Sequence, residues 1–266
     1  MTDSSACVAS PLADALPVQV LPISIHVPTH DLRDGDPEAP GTVYDHVTRD
    51  EPVKSSPPSP LDYVVAADGA EGDAVVIVTP ATEFTVMFQH AQVAAELARL
   101  PVAVVDSRTA AAAQGLVVLA ACEAAAGGGS VDEVVSAAEA AARRAELVAA
   151  LDGVDTLRRS GHVQSVLLDV SEGMGVLPLF RLQAGTVQRL GIVRSRTTAL
   201  RRITSEAQSL GWTAETRSMV FHASAPDRAD ELVRLLGRAD HVAEFSPSMG
   251  IHTGPGVVGV AWLRPT

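Results

Sequence analysis

Cysteine is scarce: the 266-residue chain holds two, Cys7 and Cys122. Two thiols so far apart exclude a disulfide framework and a structural zinc site, and they fit a reducing, cytoplasmic setting. Long apolar runs are also missing. No window approaches the roughly 18 to 20 unbroken apolar residues of a membrane span, and Met1 to Pro17 lacks a basic stretch followed by an apolar one. The sequence therefore predicts neither secretion nor membrane insertion. Basic residues are few, 20 Lys and Arg against 32 Asp and Glu, for a formal charge of -12. That excess repels phosphate backbones, so nucleic acid is not an expected partner. Aromatic residues make up only 3%, and a bias toward Ala and Val carries no functional meaning by itself. No Gly-x-Gly-x-x-Gly follows a strand, and there is no Walker loop, no Gly-x-Ser-x-Gly elbow and no cluster at metal-ligand spacing. No cofactor and no metal are expected.

What is present is core: 47% of the residues are hydrophobic, which excludes disorder over most of the length. From about residue 74, short β-branched runs alternate with longer Ala/Leu-rich stretches, the pattern of crossover units around a parallel sheet. Ala74 to Val78 and Val102 to Val105 read as strands, Glu83 to Arg99 and Ala110 to Ala126 as helices, with Ser107 or Thr109 available to cap the second helix. Ser130-Val131-Asp132-Glu133 is a capping box that opens a helix running to about Ala149. Beyond Asp152 come strands at Gly185 to Val193 and Arg217 to Ala223. Helices follow near Thr197 to Ser209 and Asp227 to Leu236, the latter closed by Gly237. A boundary near 151 to 156 divides an amino-terminal α/β domain, 1–152, from a carboxy-terminal one, 153–266. Asp31 to Pro60, rich in Pro, Gly, Asp and Ser, reads as a surface loop, lid or linker with one extended arm.

Three places can hold a polar ligand group. Ser246 to Gly256 sets His252 and Thr253 among glycines, where a backbone can approach an anion or carboxylate closely, before a strand at Val257 to Trp262. The same segment reads equally well as a turn with an incidental histidine. The other two places are Ser55-Ser56 and Thr82 to Thr85, the latter where a strand ends and open α/β sheets bind ligands. Helix capping is the commoner task for such hydroxyls.

These pieces, taken in order, resemble the DegV family over essentially the whole chain. Thr2-Asp3-Ser4-Ser5-Ala6 is similar to the family's opening Thr-Asp-Ser-Thr-Ala, and Val18 to Val27 to its next strand. Lys54-Ser55-Ser56-Pro57-Pro58-Ser59-Pro60 resembles Thr-Ser-Gln-Pro-Ser-Pro, with Ser55 in the threonine's place. Asp106-Ser107 with Gln114-Gly115, Val193-Arg194 with Ala199-Leu200, and Gly250-Ile251-His252-Thr253-Gly254-Pro255-Gly256 complete the series. The resemblance implies a two-domain α/β protein, with a parallel sheet in its first domain, that binds a long-chain fatty acid without catalysis. The acyl chain would lie between the domains, and a fatty acid kinase is the implied partner. Carried over residue by residue, Ser55, Ser56, Thr85, His252 and Thr253 would face the ligand, Ser55, Thr85 and His252 on its carboxylate. His162 and Arg194 would face the partner.

Two segments depart from the family pattern. Phe84-Thr85-Val86-Met87-Phe88 stands where the family has Leu-Ser-Gly-Thr-Tyr, keeping one hydroxyl and losing the glycine and the second hydroxyl. Ser160-Gly161-His162-Val163 replaces Gly-Gly-Arg-Ile, and His162 reads equally as a solvated helix end. The chain also opens directly on the Asp-Ser motif, which points to a missing edge strand or a displaced start. Two rival readings remain: an acid/base enzyme pairing His252 with Asp106 or Asp3 on a small carboxylate or phosphorylated substrate, and a scaffold without ligand.

Overall fold

The computed structural model describes residues 1–8, 16–153 and 175–265. Its first elements are β1 (Thr2–Asp3), β2 (Val20–Leu21), β3 (Ser24–His26), β4 (Asp31–Arg33), α1 (Ala39–Thr48), β5 (Lys54–Ser56) and α2 (Pro60–Asp68). Then follow β6 (Val75–Thr79), α3 (Met87–Leu97), β7 (Val102–Asp106), α4 (Ala111–Ala126), α5 (Val131–Arg144) and β8 (Ala145–Ala150). The rest are β9 (Leu177–Gln183), β10 (Thr186–Val193), α6 (Arg196–Ser209), β11 (Ser218–His222), α7 (Pro226–Leu236), β12 (His241–Glu244), α8 (Pro247–Thr253) and β13 (Val258–Leu263).

Two parallel pairs, β1 with β2 and β6 with β7, are joined through Met1 and Thr2. The Met1 amine donates to the Val76 carbonyl at 2.8 Å, and the Thr2 hydroxyl to that of Val78 at 2.8 Å. The Val78 N–H returns a bond to the Met1 carbonyl at 3.0 Å. The described amino-terminal strand thus lies between β2 and β6. Helices α2 and α3 cover one face through Tyr63, Ala67, Ala91 and Ala94, all fully buried, while α4 and α5 lie against β6 and β7.

A second sheet has the order β10-β9-β8-β13-β11-β12, antiparallel except for β11 with β12. Alternation along its strands sends Leu147 and Ala149 toward α4, while Val148 and Ala150 join the core under α6 and α7. Helix α4 therefore stands between the sheets, which explains why Ala111 to Leu119 are all buried. The architecture is the expected mixed α/β one, with a parallel sheet in the first part and a larger sheet in the second.

Several expected elements are corrected. The capping box at Ser130 and Glu133 forms, but its helix stops at Arg144 and Ala145–Ala150 is a strand. Ala-Glu-Leu-Val-Ala-Ala has no period to separate the two states, and its position between β13 and β9 decides it. The first strand of the six-stranded sheet thus starts at Ala145. The loop expected from Asp31 to Pro60 contains α1, which tolerates Pro40 because the first turn needs no proline N–H. Helix α3 starts at Met87 rather than Glu83, leaving Ala81 to Val86 as a turn. Ala110, not a hydroxyl, stands at the start of α4, and Ser107 instead accepts from the Thr109 N–H at 3.3 Å. The glycine-rich segment before β13 holds the short helix α8.

Candidate functional site

Ser55 lies on β5, Thr85 in the turn that follows β6, and His252 on α8. Strand β5 pairs antiparallel with β3, Ser55 standing opposite Ile25. Directly paired residues share a face, and Ile25 is fully buried, so Ser55 turns inward and is half-buried. Ser56 lies on the outer face and is exposed. Its hydroxyl is 2.9 Å from His26 Nε2, and His26 Nδ1 is 2.8 Å from Asp31 Oδ1. This chain of contacts has the order of a nucleophile relay, but the next two residues, Pro57 and Pro58, have no N–H to offer an oxyanion. Ser55 and Ser56 therefore cannot serve one ligand from the same side.

The arm beyond Ser56 is tied to α3. The Pro58 carbonyl accepts from His90 Nδ1 at 2.8 Å, which sets that ring's tautomer and brings the Ser55 arm to the turn containing Thr85. Thr85 is half-buried. In the same turn the Thr82 N–H points to Asp106 at 3.4 Å and the Ala81 N–H donates to the Thr109 carbonyl at 2.7 Å.

His252 is placed by α8, which packs on α1 and β5. Asp34, buried in the loop after β4, caps that helix from outside, accepting the Ser248 N–H at 2.9 Å as well as the Ser248 and Ser4 hydroxyls. Gly250 lies against the Tyr44 ring, where a Cβ would fall 2.7 Å from the phenol oxygen. His252 and Thr253 are both half-buried, and the Thr253 hydroxyl is directed to the Met249 and Gly254 carbonyls at 3.4 and 3.3 Å. Gly254 and Gly256 have φ of 75° and 92° and form the turn into β13. Arg194 is exposed between β10 and α6, and His162 lies outside the described residues.

Three buried or half-buried carboxyls lie on neighbouring elements, and of these Asp34 carries no signal in the sequence. Burial raises the Asp34 carboxyl above its ordinary value, against the pull of its serine donors. Asp3 is raised by burial too, and it accepts from Ser5 N–H at 3.0 Å and Gln114 Nε2 at 3.0 Å. Asp106 is likewise raised by burial and receives the Arg108 N–H at 2.7 Å. The two carboxylates considered as partners of His252 are thus committed to neighbours of their own. The hydroxyls of Thr79 and Thr109, both buried, find no partner among the described residues. A cavity of about 420 Å³ opens at the other end of β6, between Met1, Val75, Val118, Cys122 and Val134, and touches none of the candidate residues.

Because folded Asp34 holds its proton more tightly than the unfolded chain, the folded state binds more protons between the ordinary carboxylate value and the raised one. Stability therefore rises as pH falls through that window. Urea unfolding at pH 7 and 5 should show wild type gaining on Asp34→Asn at the lower pH. A gain at the higher pH would contradict the burial.

The family profile described as "uncharacterised protein, DegV family" matches residues 1–265. The chain belongs to the DegV family. A DegV domain-containing protein of Streptomyces coelicolor is 32% identical, the alignment covering 98% of this chain and 96% of the relative. The DegV fold is shared with a fatty-acid-binding DegV protein from Thermus thermophilus at a TM-score of 0.89, with 23% identity over 99% of this chain and 98% of that one. A stearic-acid-binding protein from Eubacterium ventriosum superposes at 0.86, with 20% identity over 99% of this chain and 97% of the other. Among the described residues no helix of this DegV protein is long and apolar enough to cross a membrane.

Proposed function

We propose that this DegV protein is a non-catalytic carrier of a long-chain fatty acid, with the carboxylate at Ser55, Thr85 and His252 and the acyl chain among aliphatic side chains between the two sheets. The observation that carries this reading is that β5, with its inward Ser55, is tied on one side to α3, which follows the Thr85 turn, and on the other to α8, which carries His252. Two hydroxyls and an imidazole suit a carboxylate whose tail is buried, since an unpaired charge there is costly. Tail burial at about 0.8 kcal/mol per methylene supplies most of the affinity. Solved DegV structures described as fatty-acid-binding strengthen the reading by analogy of fold. The protein hands its cargo over in the cytoplasm, where unpaired Cys7 and Cys122 stay reduced, and a fatty acid kinase is the receiving partner. It has no reaction of its own.

Titration with a fluorescent fatty acid tests the head-group assignment. Ser55→Ala should weaken binding about tenfold, the loss of one hydrogen bond to a charged group. Ser56→Ala, on the outer face, should leave binding unchanged. Equal losses in both variants, or a loss only in Ser56→Ala, would overturn the assignment.

A further inference from the structure

We infer that Arg108, Glu83 and the β9–β10 hairpin form a clamp that positions the Thr85 turn and slows ligand release. The inference rests on the proposed place of Thr85 at the carboxylate. The guanidinium of Arg108, just beyond β7, donates to Glu83 Oε1 at 2.7 Å and to the Ala184 carbonyl at 3.0 Å. Gly185 N–H donates back to the Arg108 carbonyl at 2.6 Å. One side chain thus joins the turn that carries Thr85 to the tip of a hairpin in the six-stranded sheet.

The backbone here is held away from its preferred conformations. Arg108 and Ala184 have φ of 52° and 48°, which cost non-glycine residues energy, and they touch. Outliers of this kind persist where surrounding contacts hold them, typically at ligand clamps. Ala184 and Gly185 are the two-residue turn joining β9 to β10, and positive φ at both is what a type I′ hairpin requires. A Cβ at Gly185 would also fall 2.5 Å from Glu83 Cδ and push that carboxylate away from Arg108.

On the other side, Glu83 adjoins Thr82, whose hydroxyl accepts from Gln89 at 2.8 Å, and Phe84, which packs on the core shared by both sheets. The turn is therefore tied at Thr82, Glu83 and Phe84, and Thr85 is next in line. Arg108 and Glu83 are positioning residues, 52% and 32% exposed as side chains, so salt reaches and screens their pairing.

Stopped-flow displacement of a bound fluorescent fatty acid from the full chain measures the clamp. Arg108→Gln and Gly185→Ala should each raise the dissociation rate roughly threefold to tenfold. Sodium chloride should speed release from wild type toward the variant rate and leave Arg108→Gln unaffected, a response that a merely structural role would not produce. Equal rates, or parallel salt responses, would overturn the clamp. Amide hydrogen exchange on the ligand-free proteins tests it independently of any fatty acid. Exchange at Thr82 to Val86 should quicken in Arg108→Gln, and unchanged protection would overturn the clamp as well. A wild type that binds no fatty acid would instead refute the carrier reading.

Discussion

Gly115→Ala should destabilise the protein by about 2–3 kcal/mol, although alanine is the better helix former by about 1 kcal/mol. Gly115 sits in the second turn of α4, where a Cβ would run into the Ala6 carbonyl oxygen. The obstacle is backbone, and it is fixed. Ser5 and Asp3 anchor the short 3-10 turn of Ser4–Ala6 to Gln114, the residue beside the glycine. Relief would need the whole opening segment to move off α4, breaking a buried hydrogen-bonded network that neutral solvent cannot replace. The control is Gly41→Ala in α1, where a Cβ meets nothing within 4 Å. The same substitution there should be neutral or stabilising by up to about 1 kcal/mol. Thermal or urea unfolding of both variants checks the pair, and a Gly115→Ala protein as stable as Gly41→Ala would refute the close approach.

Gly250→Ala should weaken fatty acid binding about tenfold or more, even though the residue is not assigned to the ligand. The new Cβ would meet the Tyr44 ring, 2.9 Å from its Cζ, and Tyr44 is buried in the core, where neighbours resist its displacement. Helix α8 must then move, and His252, two residues on, moves with it. Errors of about 1 Å in a positioned group are enough to lose most of its contribution. Tyr44→Leu removes the ring and should restore much of the binding to the double variant, a coupling that additive effects would not show. Unimpaired binding in Gly250→Ala would mean that His252 does not depend on this packing.

The most legible parts of the fold were those with a local signal. Strands β6 and β7 announce themselves by β-branched runs, α5 by its capping box, and α7 by Gly237, which takes φ of 84° at the helix end. Helix α1 was hidden because Pro40 and Gly41 occupy its first turn, where they do no harm but look like loop. Strand β8 was hidden because alanine and leucine serve a doubly buried strand as well as a helix. The site shows the same division. Ser55, Thr85 and His252 could be singled out as hydroxyls and an imidazole near glycines and strand ends. That Ser55 rather than Ser56 is the one turned inward depends on the register of β5 against β3, which no local pattern specifies. Asp34 carried no signal either, since its importance comes from Ser248, 214 residues away in the chain.

The carrier account is tested most directly by purifying the full chain from cells, extracting it with organic solvent and identifying the extract by mass spectrometry. The account predicts stoichiometric long-chain fatty acid in the extract, released from wild type and strongly depleted from a Ser55→Ala, Thr85→Val, His252→Ala triple variant. An extract with no fatty acid above the solvent blank, or an equal yield from the triple variant, would contradict it.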